Sequence, residues 1–94
     1  MKHITDKKLN HYFEITGKAL KIAKEKITKD AALRKNAEDF LDMAERYYAD
    51  AQHFRDKGEY VDAFGALNYA HAFLDAGARI KLFEVHDSGL FAAD

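Results

Sequence analysis

The sequence predicts an all-α protein that folds as an antiparallel, up-down-up three-helix bundle. The chain contains no proline, 5 glycines and many alanine, lysine, glutamate and leucine residues, a composition that favours helix. Apolar residues recur at alternating spacings of four and three, which is the period of an amphipathic helix. The polar breaks between these segments are short, and short connections make successive helices antiparallel. The 94 residues suit one domain, 1–94, rather than two.

The first helix is predicted over residues 5–27. Thr5 or Asp6 is a suitable N-cap, because a short polar side chain there can accept a hydrogen bond from the first turn. The apolar seam of this helix keeps the alternating spacing throughout and predicts one buried face. It consists of Leu9, Phe13, Thr16, Leu20, Ala23 and Ile27.

The second helix is predicted over residues 30–57, after the polar break "TKD". Thr28 or Asp30 can cap it, although the break contains no glycine or proline, so one continuous helix is the alternative. Lys57 followed by Gly58 indicates a left-handed C-terminal cap. The seam consists of Leu33, Ala37, Phe40, Ala44, Tyr47, Ala51 and Phe54.

The third helix is predicted over residues 59–83, and it is more apolar than two neighbours require. We expect Gly77 within it to mark a place where a neighbouring group packs closely. Two apolar ridges together cover about 240° of its circumference, whereas an ordinary surface helix needs little more than 100°. The main seam includes Tyr60, Phe64, Leu67, Leu74, Ala78 and Leu82, and the second ridge is Tyr69, Phe73, Ala76 and Ile80.

Some further element should cover the second ridge, since a contiguous exposed apolar patch usually marks an interface. One candidate is the tail, residues 84–94, through Leu90 and Phe91. The other is a second copy of the chain. The sequence therefore predicts a candidate homodimer interface at Tyr69, Phe73 and Ile80.

A narrow polar strip also runs along the third helix and consists of Asn68, His71, Asp75 and Arg79. Asp75 lies one turn after His71 and could orient its imidazole, while Arg79 could pair with Asp75. Such a set could bind a phosphate or carboxylate, or act as acid and base. The structural interpretation, which we favour, is that a largely buried helix needs some solvated strip and that His71 is a hydrogen-bonded residue at the edge of the core.

Composition narrows the classes of function. The formal net charge of -1 argues against a general nucleic-acid-binding protein, which would carry a basic excess. The chain has no cysteine, which excludes disulfides and thiolate metal sites and suits a cytoplasmic protein. No apolar run is long enough for a membrane span, and the N-terminus lacks the apolar segment of a signal peptide. No cofactor, metal site or catalytic residue is predicted.

Two weaker patterns suggest other functions. Six residues separate Arg46 and His53 within "RYYADAQH", a separation similar to that of the arginine and histidine in HEPN-type helical ribonucleases. The segment "GEYVDAFGALNYAHA" has the rhythm of a tetratricopeptide helix, but it occurs once, and such repeats need stacked neighbours. Neither pattern is specific.

The segment 43–85 resembles the archaeal family known as domain of unknown function 357. The resemblance rests on "YYADAQHF", "KGEYVDAF" and "NYAHAFLDAGARIKLF", and it covers about half of the chain strongly. It implies a small three-helix protein and implies no activity. The polar strip, together with Gly58 and Tyr60, falls within this portion.

Two hypotheses about function follow from these patterns. The first is a non-enzymatic interaction or self-association module that uses Tyr69, Phe73 and Ile80. The alternative is a domain that binds or hydrolyses nucleotide or RNA through the polar strip, with Arg46 and His53 as further candidates. The alternative requires Arg46 or His53 to lie near His71, around a concave pocket.

Overall fold

Three helices make up the fold in the computed structural model, which describes residues 4–86 and 89–91. They are α1 (Asp6–Glu25), α2 (Ala31–Asp56) and α3 (Tyr60–Arg79), and each contacts the other two. The contact between α2 and α3 is the most extensive, and α1 packs more against α3 than against α2. Within the described residues there is no strand, so the prediction of an all-α, three-helix protein is confirmed.

Side-chain caps begin the first two helices where the sequence predicts them. The Thr5 hydroxyl accepts a hydrogen bond from the Lys8 amide at 3.1 Å, and the Asp30 carboxylate accepts one from the Ala32 amide at 2.9 Å. The Thr28 hydroxyl accepts a bond from the Asp30 amide at 3.1 Å, which holds the break in place. These bonds satisfy donors that a helix leaves unpaired, so the chain forms two helices here rather than one.

A left-handed residue ends α2 as predicted. Gly58 has φ 78°, its amide donates to the Arg55 carbonyl, and the next amide, of Glu59, donates to the Phe54 carbonyl, each at 2.9 Å. This pair of bonds is the Schellman motif, which pairs the last carbonyls of a helix. Glycine is suited to this position because it adopts positive φ without a steric penalty.

The same motif ends α3 at Arg79, earlier than the predicted boundary at Phe83. Lys81 takes the left-handed position with φ 68°. The Leu82 amide donates to the Gly77 carbonyl at 2.8 Å, and the Lys81 amide donates to the Ala78 carbonyl at 3.2 Å. A sequence pattern does not reveal this end, because no glycine marks it and the apolar period continues through Leu82.

The segment after α3 turns back onto the end of α1. The Thr28 amide donates to the Leu82 carbonyl at 2.9 Å, and the Glu84 amide donates to the Lys26 carbonyl at 2.7 Å. At the opposite end of the molecule, the Tyr60 hydroxyl at the start of α3 donates a hydrogen bond to Asp6 at the start of α1. This bond, together with the negative charge of Asp6, raises the pKa of Tyr60 above its ordinary 10.0. Such contacts are expected when α1 and α3 run in the same direction.

The buried residues form two clusters along the bundle. Phe83 fills the space beside Gly77, where an added Cβ would overlap its ring, so the expected close neighbour of this glycine is present. Phe91, at 1% exposure, docks on the bundle as part of the described tail. The cluster near the carboxyl ends of α1 and α3 contains Ala19, Ala23, Leu41, Ala44, Leu74, Ala78, Phe83, Val85 and Phe91, and the other contains Leu9, Phe13, Ala51, Ala63, Ala66 and Leu67.

Candidate functional site

The polar strip lies on the side of α3 that faces α1. Asn68 and Arg79 are exposed, whereas the side chains of His71 and Asp75 are only 22% and 32% exposed. The strip is therefore half embedded at its centre and open at its ends.

His71 connects three parts of the chain. Its Nε2 lies 2.7 Å from the Leu90 carbonyl oxygen, and its Nδ1 lies 3.1 Å from the Thr16 hydroxyl of α1. Because a carbonyl can only accept, Nε2 carries a proton and donates it to Leu90. The Asp75 carboxylate lies 3.5 Å from the same nitrogen. Both ring nitrogens are thus used inside the protein, and this gives His71 a structural role between α1, α3 and the tail.

A shallow depression of about 290 Å³ lies beside His71, between α1 and α3. Arg46 and His53 are not among the residues that line it. Arg46 is exposed on α2 and pairs with Asp42 at 2.9 Å, and His53 lies against the ring of Phe54. The structure therefore does not bring these two residues to the polar strip. The lining consists of Tyr12, Ile15, Thr16, Asn68, His71, Ala72 and Asp75.

Metal binding has no geometric support in the part of the chain that is described. Across residues 4–86 and 89–91, no three histidine, aspartate or glutamate side chains are grouped closely enough to hold an ion. His71 and Asp75 form a pair, and a closed site normally needs about four ligands.

A second face, on the side of the α2–α3 pair, carries exposed apolar side chains. Val61, Tyr69 and Ile80 are 67%, 62% and 55% exposed, and they are the large hydrophobic residues with the greatest exposure among those described. The predicted ridge residues therefore differ in burial, because Phe73 is half-buried while Tyr69 and Ile80 project into solvent.

Four aromatic rings support this face and form what we name the aromatic ladder: Phe40, Phe73, Tyr47 and Tyr69. Phe40 meets Phe73 edge to face, with ring centroids 5.6 Å apart. Tyr47 lies nearly parallel to both Phe73 and Tyr69, at centroid distances of 5.9 and 5.3 Å. Such pairs are favourable beyond the area they bury, and they fix the direction of each ring. The sequence pattern assigns Phe40 and Tyr47 to the core seam and does not indicate this ladder.

Uncharged residues that are exposed or, at Gly65, half-buried continue along the whole of α3 beside the ladder. At 100° per residue they fall within an arc of about 100°, which makes one straight surface. Shallow depressions of about 400 and 290 Å³ adjoin it, between α2 and α3. The sequence pattern includes Ala76 in the second ridge but does not single out Gly65 and Ala72, because small residues also suit a core. We name this surface the α3 stripe; it consists of Val61, Gly65, Tyr69, Ala72, Ala76 and Ile80.

Comparison with known proteins places the chain in a family. None of the helices in the described part of the chain is long and apolar enough to cross a membrane. No match was found among curated proteins or among solved structures. A family model described as "Protein of unknown function (DUF357)" matches residues 11–83, a range that includes all of α2, α3, the polar strip and the α3 stripe. Since that range is well over half of the chain, this protein belongs to the DUF357 family.

Proposed function

We propose that this protein is a non-enzymatic interaction module that associates with a second copy of itself through the α3 stripe and the aromatic ladder. The observation that carries the proposal is the exposure of Val61, Tyr69 and Ile80, at 67%, 62% and 55%, along one helix face whose charged residues lie only at its two ends. A contiguous apolar surface of this kind generally marks a site of association, because burying it removes apolar area from water.

The aromatic ladder supports the proposal because it holds part of the surface ready for binding. Tyr69 is exposed, yet its ring stacks on Tyr47, and Phe73 is held between Phe40 and Tyr47. Side chains that are already fixed lose little conformational freedom when a partner binds. Rigid aromatic residues are for this reason frequent anchors of protein interfaces.

The position of the tail also supports a second copy as the partner. The tail and a second copy are the two elements that could cover the second ridge. The Leu90 carbonyl receives the His71 hydrogen bond on the α1 side of α3, and Phe91 is buried in the core. Tyr69 and Ile80 keep their exposure with the described part of the tail in place. With this part of the tail on the α1 side, a second copy is the candidate that we favour.

The size of the face suits a dimer of moderate affinity. The α3 helix has 20 residues. At 1.5 Å per residue and two helix widths, the stripe and ladder cover roughly 30 by 20 Å, or about 600 Å². Stable interfaces bury about 800 Å² per partner, so the area of the proposed dimer interface lies near the lower end of that range. A cytoplasmic location, which suits a chain without cysteine, is part of the same proposal.

The test is the molar mass in solution of the wild type and of variants that place a charge on the face. Light scattering and sedimentation equilibrium should give a dimer for the wild type at micromolar concentrations and a monomer for Tyr69→Glu and for Ile80→Glu. Two variants are needed because Tyr69 also stacks on Tyr47, whereas Ile80 lies at the end of the helix.

The matched control is Ala49→Glu, which adds the same charge at an exposed position of α2 outside the stripe and the ladder. It should leave the dimer intact. Circular dichroism confirms that each variant is folded. A wild-type chain that stays monomeric across the concentration range contradicts the proposal, and so does a dimer that both face variants leave unchanged.

Binding of nucleotide or RNA through the polar strip is the alternative, and the depression beside His71 is the observation in its favour. In that case a nucleotide or a short RNA should raise the melting temperature of the wild type and should do so less for Arg79→Ala or Asn68→Ala. Both residues are exposed, so neither substitution should disturb the fold. An identical shift for all three proteins counts against the alternative.

A further inference from the structure

We infer that the two copies pair through their α3 helices in antiparallel register, with the twofold axis passing near the midpoint between Tyr69 and Ala72. This inference rests on the proposed self-association and specifies its geometry. It follows from the order of residues along the α3 stripe, the charges at its ends and the space above its glycine.

The spacing of the stripe reads the same in both directions. From Val61 to Ile80 the intervals are four, four, three, four and four residues. A twofold axis at the centre therefore places every stripe residue opposite a stripe residue of the other copy. A symmetric dimer needs such self-complementarity, because one surface must bind its own copy.

The side chains that become opposed in this register also fit in size. The large Tyr69 lies opposite the small Ala72 of the second copy, and Gly65 lies opposite Ala76. An added Cβ at Gly65 would meet no atom within 4 Å, so the surface there is open to a partner. The small Gly65, Ala72 and Ala76 leave room for two helices to approach, while Val61 and Ile80 meet at the two ends.

Charge favours the antiparallel direction over the parallel one. Asp62 lies at one end of the stripe and Arg79 at the other, and both are exposed. In the antiparallel register Asp62 lies at the same level as Arg79 of the second copy. In a parallel pair each charge would lie level with its own duplicate. Charges within about 8 Å still interact at physiological ionic strength, so like pairs would oppose the parallel arrangement.

Cysteine cross-linking tests the register, since the natural chain has no cysteine. The two variants are Gly65→Cys and Ala76→Cys, which are predicted to lie opposite each other. Each variant is oxidised alone with oxidised glutathione, and then the two are mixed in equal amounts and oxidised together. Intact mass spectrometry separates the mixed dimer from the two homotypic dimers, because the variants differ in mass.

In the antiparallel register the mixture should give the mixed dimer, and each variant alone should give little cross-linked product. Residue 65 of one copy then lies about 16 Å along the helix from residue 65 of the other, at 1.5 Å per residue, and the same holds for residue 76. A disulfide requires Cα atoms within about 7 Å of each other. Adding Tyr69→Glu to both chains should abolish the mixed product, and pairing Gly65→Cys with Ala49→Cys should give none.

The possible failures are distinguishable. Cross-linking of each variant with itself indicates a parallel pair and overturns the register, while self-association stands. A dimeric mass in light scattering without any cross-link also overturns the register. A wild type that is monomeric at every concentration contradicts the proposed self-association, and therefore the register as well.

Discussion

At the scale of single residues, His71 is the side chain that joins segments far apart in the sequence, so its loss should affect all of them. His71→Ala removes the hydrogen bonds to the buried Thr16 hydroxyl and to the Leu90 carbonyl. Leaving a buried polar group unpaired costs about 1–3 kcal/mol, so we expect a loss of that order in the free energy of unfolding. Urea denaturation followed by circular dichroism measures it.

The control for this prediction is Asn68→Ala, one turn earlier on the same strip and exposed, which should change stability by less than about 0.5 kcal/mol. Carboxypeptidase should also digest the tail of His71→Ala faster than that of the wild type, because Leu90 has lost its anchor. Equal stability and equal digestion for the two variants would show that the histidine does not hold the tail.

At the scale of helices, two glycines of α3 predict opposite responses to the same substitution. Gly77→Ala brings a Cβ into the ring of Phe83, so we expect it to destabilise the protein by about 1–3 kcal/mol despite the higher helix propensity of alanine. Gly65→Ala meets no atom within 4 Å and should stabilise α3 by about 0.5–1 kcal/mol. Thermal unfolding at a concentration below association compares them, and equal effects would contradict the packing described for Gly77.

The end of α3 predicts a stabilising substitution. Lys81 holds the left-handed position of the Schellman motif with φ 68°, which costs a residue with a Cβ about 1 kcal/mol. Lys81→Gly relieves this strain, so we expect a gain of about 0.5–1 kcal/mol in the free energy of unfolding. Lys81→Ala removes the charge and keeps the strain, and it should change little. Chemical denaturation of the three proteins checks this, and a similar gain for both variants would assign the effect to charge.

These helix ends also show how far the sequence predicts the fold. Thr5, Asp30 and Gly58 carry local chemistry for starting or ending a helix, and the structure uses all three. The end of α3 depends instead on Phe83 docking beside Gly77 and on Lys81 adopting an unfavourable backbone conformation. Both are consequences of tertiary packing, which overrides the local pattern.

For the candidate sites, the sequence indicates which residues share a helix face but not which distant groups they meet. The spacing identifies His71 and Asp75 as neighbours, and the Asp75 carboxylate lies 3.5 Å from His71 Nε2. The contacts of His71 with Thr16 and Leu90 join residues far apart in the chain, so no local period could predict them. The excess of apolar surface on α3 was predictable because it can be found by counting the apolar residues around a single helix.

At the scale of the whole molecule, self-association should make thermal stability depend on protein concentration. Association that stabilises only the folded state raises the melting temperature as concentration rises. For a folded dimer that unfolds to two chains, a tenfold increase contributes about 0.7 kcal/mol per chain, or about 3 to 5 °C for a chain of this size. Calorimetry of the wild type should show this rise in melting temperature at protein concentrations above the dissociation constant.

The same scans on Ile80→Glu should give a melting temperature that does not change with concentration, because that variant is expected to be monomeric. Its melting temperature should match that of the wild type at high dilution, where the wild type is also monomeric. Ala49→Glu should keep the slope of the wild type. A wild-type melting temperature that does not change with concentration would mean that a second copy does not bury the exposed Tyr69 and Ile80. Folded chains that associated would be stabilised further as the concentration rose.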